Sequence, residues 1–393
     1  MMITMRSNTS IAVIALTILL LYTDAVASFS LPFLASTAVG SSGGKTLAQD
    51  ELLPIPTKDV VSSVAVVGAT GRTGQYTVQE LLKRDVSKVI AVVRDVDKAS
   101  DIFGKGDDLP SNLEIVKCNL LKEEEVEAIC EQVDAAIWCA TGFSSNQETS
   151  LGDKVKSLFG IATNRTIDSV GLPAFAEFLS TKTIKNVNGQ GTESLSLPKF
   201  VMCSSAAVTR PTWDETKQQE FSGAADIPIV RLNPFGVLNV KRESEESLRQ
   251  SDVEYCIVRP SGLNDEWPAG SRPVFTQGDV AVGRIHRKDV AQVLVDVLST
   301  PEATGKTFEV TGLSGYPQAT TIRPTLERLL TDKEGLPSKE YVTATYNAMQ
   351  QLLPGEKQNA AALAMGQTYE QLDENKVGRL GERGKEDLSK IDA

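Results

Sequence analysis

The segment that constrains this chain most is Val64-Ala65-Val66-Val67-Gly68-Ala69-Thr70-Gly71-Arg72-Thr73-Gly74, an apolar run that leads straight into a glycine-rich turn. The three glycines divide the work. Gly68 permits a tight turn, Gly71 lets a ligand come close to the backbone, and Gly74 lets the next helix pack against the strand. The helix that follows carries Val78, Leu81 and Leu82. Its positive end and unpaired amides suit the diphosphate of a dinucleotide. Gly68, Ala69, Thr70, Gly71, Arg72, Thr73 and Gly74 are therefore expected to form a cofactor cradle.

Further apolar runs follow at Val89–Val93, Leu113–Lys117, Ala135–Cys139, Phe200–Cys203, Tyr255–Arg259 and Thr307–Val310. Most are continuous rather than alternating, as expected for parallel strands covered on both faces. Amphipathic segments lie between them. In Asp289–Leu298 the apolar Val290, Val293, Leu294, Val297 and Leu298 form one stripe, with Asp289 placed to cap the start. The expected fold is α/β, a Rossmann-type doubly wound parallel sheet of about seven strands. Ser144–Arg165 and Thr181–Leu197 are polar and read as surface insertions. The Rossmann domain is expected over residues 60–314, with a small substrate lobe. A helical, in part disordered extension over 315–393 follows, with helices over Glu340–Leu353 and Gln358–Leu372.

The first residues have a different character. Arg6 precedes an apolar stretch from Ile11 to Tyr22 and the small residues Ala25 to Ser28, the layout of a signal peptide over 1–28. That stretch is shorter than the ~20 residues a bilayer requires, so no transmembrane span is expected in the mature protein. Phe29 to Ala48 has no acidic residue, as in a plastid transit peptide, and a linker with Pro54 and Pro56 runs to Asp59. The joint Val26-Ala27-Ser28-Phe29-Ser30-Leu31-Pro32 resembles the bipartite presequence of algae with complex plastids, in which an aromatic residue follows the cleavage point. This resemblance implies the plastid (chloroplast) stroma, and without it the presequence implies secretion.

Charge and composition exclude several functions. The formal net charge of −11 argues against nucleic acid as a partner. The five cysteines form no CxxC pair and read as small buried hydrophobes, and His286 is the only histidine. A Ser-His-Asp relay or a histidine-rich metal site is therefore set aside. The second strand ends Val92-Val93-Arg94-Asp95. A cation there accommodates the 2′-phosphate of NADP, and an acid would hold the ribose hydroxyl of NAD. Arg94, with Arg72 nearby, favours NADP (NADPH) over NAD, and Asp95 is the counter-argument.

Taken together, the chain resembles the atypical short-chain dehydrogenase/reductases, in the NmrA-like NAD(P)H-binding branch. The matching pieces are Gly68 to Gly74, Val92-Val93-Arg94, Trp138-Cys139-Ala140-Thr141-Gly142, Phe200 to Ser205, Tyr255 to Leu263 and Ile285 to Ala291. The resemblance implies that Asn119 and Leu120 meet the adenine. It also implies that Ala140, Thr141 and Gly142 pass the ribose, and that Pro260, Ser261 and Gly262 lie beside the nicotinamide. Active members of the superfamily use a Ser with a Tyr and Lys spaced YxxxK. Ser205 matches the serine and Lys241 the lysine, on a helix opening at Asn233-Pro234. Val237 stands where the tyrosine would be, and no tyrosine occurs between Ser205 and Tyr255.

Two functions fit these residues. One is an NADPH-dependent reductase of a small molecule, with Lys241 relaying the proton, Ser205 anchoring the substrate, and Asn264–Pro268 forming part of the substrate lip. The other is a non-catalytic NADP(H)-binding sensor or assembly factor whose partner is a thylakoid protein. Bland roles are also available. Lys241 could pair with Glu245 one turn on, and Ser204 and Ser205 could satisfy backbone groups at a strand end.

Overall fold

A computed structural model describes residues 53–141, 167–182, 196–351, 364–367, 371–372 and 375–390. The presequence, the insertion over Ser144–Arg165 and Gly142 lie outside the described residues. The seven expected strand regions all form: β1 (Ser63–Val67), β2 (Lys88–Val93), β3 (Leu113–Lys117), β4 (Ala135–Trp138), β5 (Phe200–Cys203), β6 (Tyr255–Pro260) and, after three further strands, β10 (Lys306–Leu313). The strands between β6 and β10 are β7 (Gly262–Leu263), β8 (Arg272–Thr276) and β9 (Arg284–Ile285). Between and beyond them run α1 (Arg72–Lys83), α2 (Val96–Phe103), α3 (Glu123–Cys130), α4 (Ile167–Ser180), α5 (Val237–Arg249), α6 (Arg287–Asp296) and α7 (Lys339–Gln351).

The main sheet has eight strands in the order β3-β2-β1-β4-β5-β6-β10-β8. Strand β1 pairs in parallel with β2 on one side and β4 on the other, with Val64 opposite both Val89 and Ala135. The chain therefore winds outward in both directions from β1 and β4. The crevice at their carboxyl ends is the switch point where such sheets bind ligands. Strand β8 is an antiparallel edge, with Thr276 opposite Glu309. Arg-Pro-Val-Phe-Thr gives a weak strand signal because it holds Pro273, which is tolerated here at the edge of the sheet.

Each face of the sheet buries one core. On the first, Val64, Val66, Val89 and Phe308 pack with Val78 and Leu81 of α1 and Val290 and Leu294 of α6. On the second, Ala65, Val67 and Ile90 pack with Val126 of α3 and Leu172 and Phe175 of α4. Each fully buried aliphatic side chain contributes about 1.5–3 kcal/mol. Alternate residues of β1 serve opposite cores, which is why the strand is apolar throughout.

The structure corrects several expectations. Helix α6 opens two residues earlier than Asp289, and His286 is its cap, Nδ1 accepting from the Lys288 amide at 2.9 Å. Asp289 instead accepts from the amides of Gly270 (2.8 Å) and Ser271 (3.1 Å), tying the loop before β8 to the helix. Asn233 does not open α5 directly. It sits at φ 32°, a 3-10 turn over Pro234–Gly236 intervenes, and its side chain still accepts from Leu238 N at 3.0 Å. Of the insertion expected over Thr181–Leu197, the terminal Leu197 is no surface residue and is fully buried in the first core. Helix α7 matches the expected Glu340–Leu353 within two residues at each end. The helix expected over Gln358–Leu372 is interrupted, because Met365 and Gly366 form a turn. The extension packs on the main body: Ile322, Leu326 and Leu329 join the first core, and Val342 of α7 packs with Trp213, Val280 and Val282.

Candidate functional site

The glycine turn closes the carboxyl end of β1. Gly68 stands at φ 81°, and a Cβ there would lie 2.8 Å from the backbone of Ala140. Only glycine fits this turn because the ends of β1 and β4 meet there. Gly74, in the first turn of α1, is closer still: its Cβ would lie 2.3 Å from the Gly68 carbonyl oxygen. The amides of Gly68 and Ala69 point back to Val92 O at 3.2 and 3.4 Å, which fixes the turn on the sheet. Gly71 caps α1 without a side-chain acceptor. The first-turn amides of Arg72, Thr73 and Gly74 are thus left at the open, positive end of a twelve-residue helix, where an anion can take them.

Around this turn the expected cofactor residues take different positions. Ala69 is fully buried, Ala140 is buried against Gly68, and Thr141 is exposed at the end of β4. Arg94 is exposed just past β2. The Asp95 carboxylate caps α2, its Oδ1 accepting from Lys98 N at 3.0 Å. Asn119 is exposed, its side chain accepting from Leu121 N at 3.1 Å and its amide donating to Glu125 at 2.7 Å. Leu120 is buried in the second core, against Gly171 of α4.

Beyond the ends of β5 and β6 lies a cavity of about 340 Å³. It brings together Ser205, Pro260, Ser261 and Gly262. A second cavity of about 270 Å³ holds Arg72, Asn264, Asp265 and Glu266 and shares Leu263, Arg284 and Arg287 with the first. Asp265 links the cradle to α6, 3.8 Å from Arg72 and 2.8 Å from Arg287. Trp267, expected at the substrate lip, turns away to donate to Gly312 O at 3.2 Å. Sequence reasoning assigned no role to Arg284, Arg287 or the turn over residues 364–367, all of which line these cavities. Arg287 lies in a matched motif, but nothing local marks the tail as a wall.

Lys241 and Ser205 part company. Ser205 lines the cavity, its Oγ donating to Ala206 O at 2.8 Å. Lys241 is buried behind the end of β5 and donates from Nζ to Cys203 O at 3.2 Å. Its expected partner Glu245 is taken elsewhere. Arg259 forks onto Glu245 at 2.9 and 2.6 Å, Arg249 adds a third contact at 2.9 Å, and Ser204 Oγ donates at 2.6 Å. Ser204 therefore satisfies a buried carboxylate and not the backbone. Burial works to raise the Glu245 carboxyl, but Arg259 and Arg249 outweigh it and hold it below the usual range. The Cys139 and Cys203 thiols share a hydrogen bond in the first core, which holds Cys203 below and Cys139 well above the ordinary thiol range.

The chain is similar to several known proteins. Residues 68–301 match the family model described as NAD(P)H-binding. An uncharacterized chloroplastic protein of Arabidopsis thaliana is 31% identical over 258 residues, 65% of this chain and 78% of its own. Protein TIC 62, chloroplastic, from the same plant is 25% identical over 335 residues, 81% of this chain; the chain spans 46% of that longer relative. Among solved structures, the oxidoreductase ylbE of Lactococcus lactis aligns over 70% of this chain and 99% of its own, at 17% identity and a TM-score of 0.44. With more than half of its length matched by one family model and the glycine turn at the switch point of its sheet, the chain belongs to the NAD(P)H-binding family of Rossmann-fold proteins.

Proposed function

We propose that this protein binds NADP(H) in the plastid and uses NADPH to reduce a small molecule. The observation that carries the reading is the uncapped first turn of α1, backed by Gly68 and Gly74 and open to a diphosphate. Exposed Arg94, beside an Asp95 already committed to capping α2, favours the 2′-phosphate of NADP over the bare ribose of NAD. The chloroplastic relatives support the compartment. In this reading Pro260, Ser261 and Gly262 would hold the nicotinamide of NADPH, which would supply a hydride when bound. Ser205 anchors the substrate oxygen in the cavity, and Lys241 holds the proton to be delivered. Asn119, Leu120, Ala140 and Thr141 line the rest of the dinucleotide.

A second reading, a non-catalytic NADP(H) sensor that docks on a thylakoid protein, is favoured by one observation. Lys241 Nζ is engaged with Cys203 O, and Lys241 is not among the cavity's lining residues. One preparation tests both. The chain from Gln49 onward forms one compact unit and can be titrated with NADPH and NADH by fluorescence, then screened for NADPH oxidation. The reductase reading expects tighter NADPH binding, turnover with a small molecule, and loss of turnover but not of binding in Lys241→Ala. Tight binding without turnover across a broad panel would leave the sensor. Failure to bind either coenzyme would end both.

A further inference from the structure

The cavity beyond β5 and β6 has a chemistry of its own. Much of its wall is apolar, with Ile227, Ile229, Leu263 and Val282 on the body and Met365 from the tail. Its charged residues are Arg284 and Arg287, and no Asp or Glu lines it among the described residues. This stands out in a chain whose net charge is −11. Arg287 Nη1 is paired with Asp265 at 2.8 Å, a carboxylate that lines the neighbouring cavity and not this one. Ser261 is nine-tenths buried, and its Oγ has no hydrogen-bond partner among the described residues. A buried hydroxyl without a partner costs free energy unless a ligand supplies one.

We propose that this cavity takes an anionic small molecule with an apolar body. Its acid group lies between Arg284 and Arg287 and accepts from Ser261 Oγ, and its body lies on Ile227, Ile229 and Met365. The volume, about 340 Å³, is within the range of small-molecule sites. The tail takes part directly, since Arg284 Nη2 donates to Gln367 O at 3.0 Å and residues 364–367 wall the cavity. The anion shares Arg284 with that carbonyl, so ligand and tail hold each other in place. The proposal rests on reading the cleft as the substrate side of the NADP(H) site, and it names the class of substrate.

The test uses the chain from Gln49 onward and two fluorescent probes of similar body. They are 8-anilinonaphthalene-1-sulfonate, an apolar anion, and N-phenyl-1-naphthylamine, its neutral relative. The anion is expected to bind at least tenfold more tightly. Arg284→Met and Arg287→Met should each weaken it by about ten- to a hundredfold, the value of a charge-assisted hydrogen bond. Both should leave the neutral probe within twofold. Arg284→Lys should keep part of the preference, which separates lost charge from lost folding, and Lys58→Met at an exposed ion pair should change nothing. Displacement by decanoate or by decyl phosphate tells a carboxylate ligand from a phosphate one. Equal binding of the two probes, or arginine variants that bind the anion as the parent does, would overturn the proposal. So would a parallel loss of NADPH affinity in Arg284→Met, which would assign the arginines to the coenzyme's phosphates. Anion binding that follows this pattern in a protein with no NADPH affinity would sink the coenzyme reading, leaving an anion site but overturning its assignment as the substrate side of an NADP(H) site.

Discussion

Gly71 and Gly74 lie three residues apart in one turn, and the structure assigns them separable burdens. A methyl group at Gly74 would sit 2.3 Å from the Gly68 carbonyl oxygen and 3.0 Å from Ala69 Cα, both backbone atoms that cannot swing aside. Relief requires α1 to lift off β1, an overpacking cost of about 3 kcal/mol. Alanine's better helix propensity offsets about 1 kcal/mol of that. The net loss for Gly74→Ala is about 2 kcal/mol, a Tm drop of roughly 4 °C for a domain of this size. NADPH affinity falls with it, because the first-turn amides move. At Gly71 φ is an ordinary −74°, and a methyl group would meet only the Gly68 carbonyl oxygen, at 3.2 Å. Gly71→Ala should cost less than about 1 kcal/mol of stability while lowering NADPH affinity tenfold or more, because the methyl stands where the diphosphate approaches. Thermal melts by circular dichroism and fluorescence titration with NADPH read the two effects. If Gly74→Ala melts with the parent, or Gly71→Ala loses as much stability as Gly74→Ala, the close packing of α1 on β1 is not what the glycines provide.

Other consequences can be checked in the same assays. Asp95→Ala should cost about 1 kcal/mol through the lost cap of α2 without changing coenzyme preference, while Arg94→Met should weaken NADPH about tenfold and spare NADH. A loss of NADH affinity in Asp95→Ala, shifting preference further toward NADPH, would show that the carboxylate reads the ribose after all. Glu245→Gln leaves the buried Arg259 guanidinium poorly compensated and should destabilise by about 3 kcal/mol in denaturant melts; a loss under 1 kcal/mol would mean the pair is replaceable. Burial, with Asp279 nearby, raises the Glu309 carboxyl from 4.5 to about 7 despite Arg259 and Arg210. A carboxyl held up in the fold contributes stability that is complete below its unfolded pKa and is lost as pH rises through the folded one. The protein should therefore lose up to about 3 kcal/mol between pH 4.5 and pH 7 from this group. Glu309→Gln should flatten that slope in melts taken across the range, and an unchanged slope would assign it to other groups.

Much of the fold was legible because it is written locally. Continuous apolar runs such as Val89–Val93 mark strands buried on both faces, and the spacing of Gly68, Gly71 and Gly74 marks one kind of strand-to-helix turn. The register of β1 between β2 and β4, and the close approach of Gly68 to Ala140, bear out that reading. Capping was less legible. His286 and Asp289 both sit at the start of α6, and the choice between them depended on whether the loop at Gly270 and Ser271 would claim Asp289. The same holds for Lys241 and Glu245, which look like a helix pair until Arg259, far along the chain, takes the carboxylate.

The sequence by itself thus determined a parallel sheet with a tight glycine turn at the end of its first strand, because backbone sterics at glycine and hydrophobic periodicity act over a few residues. Only the tertiary structure decided which carboxylate met which arginine, that Arg284 and Arg287 line a cavity with no acid among its described residues, and that the turn over 364–367 would wall it. Those pairings join residues many positions apart, and a charged side chain reaches any opposite charge that folding brings near it. Their partners were therefore settled by the packing of the two cores.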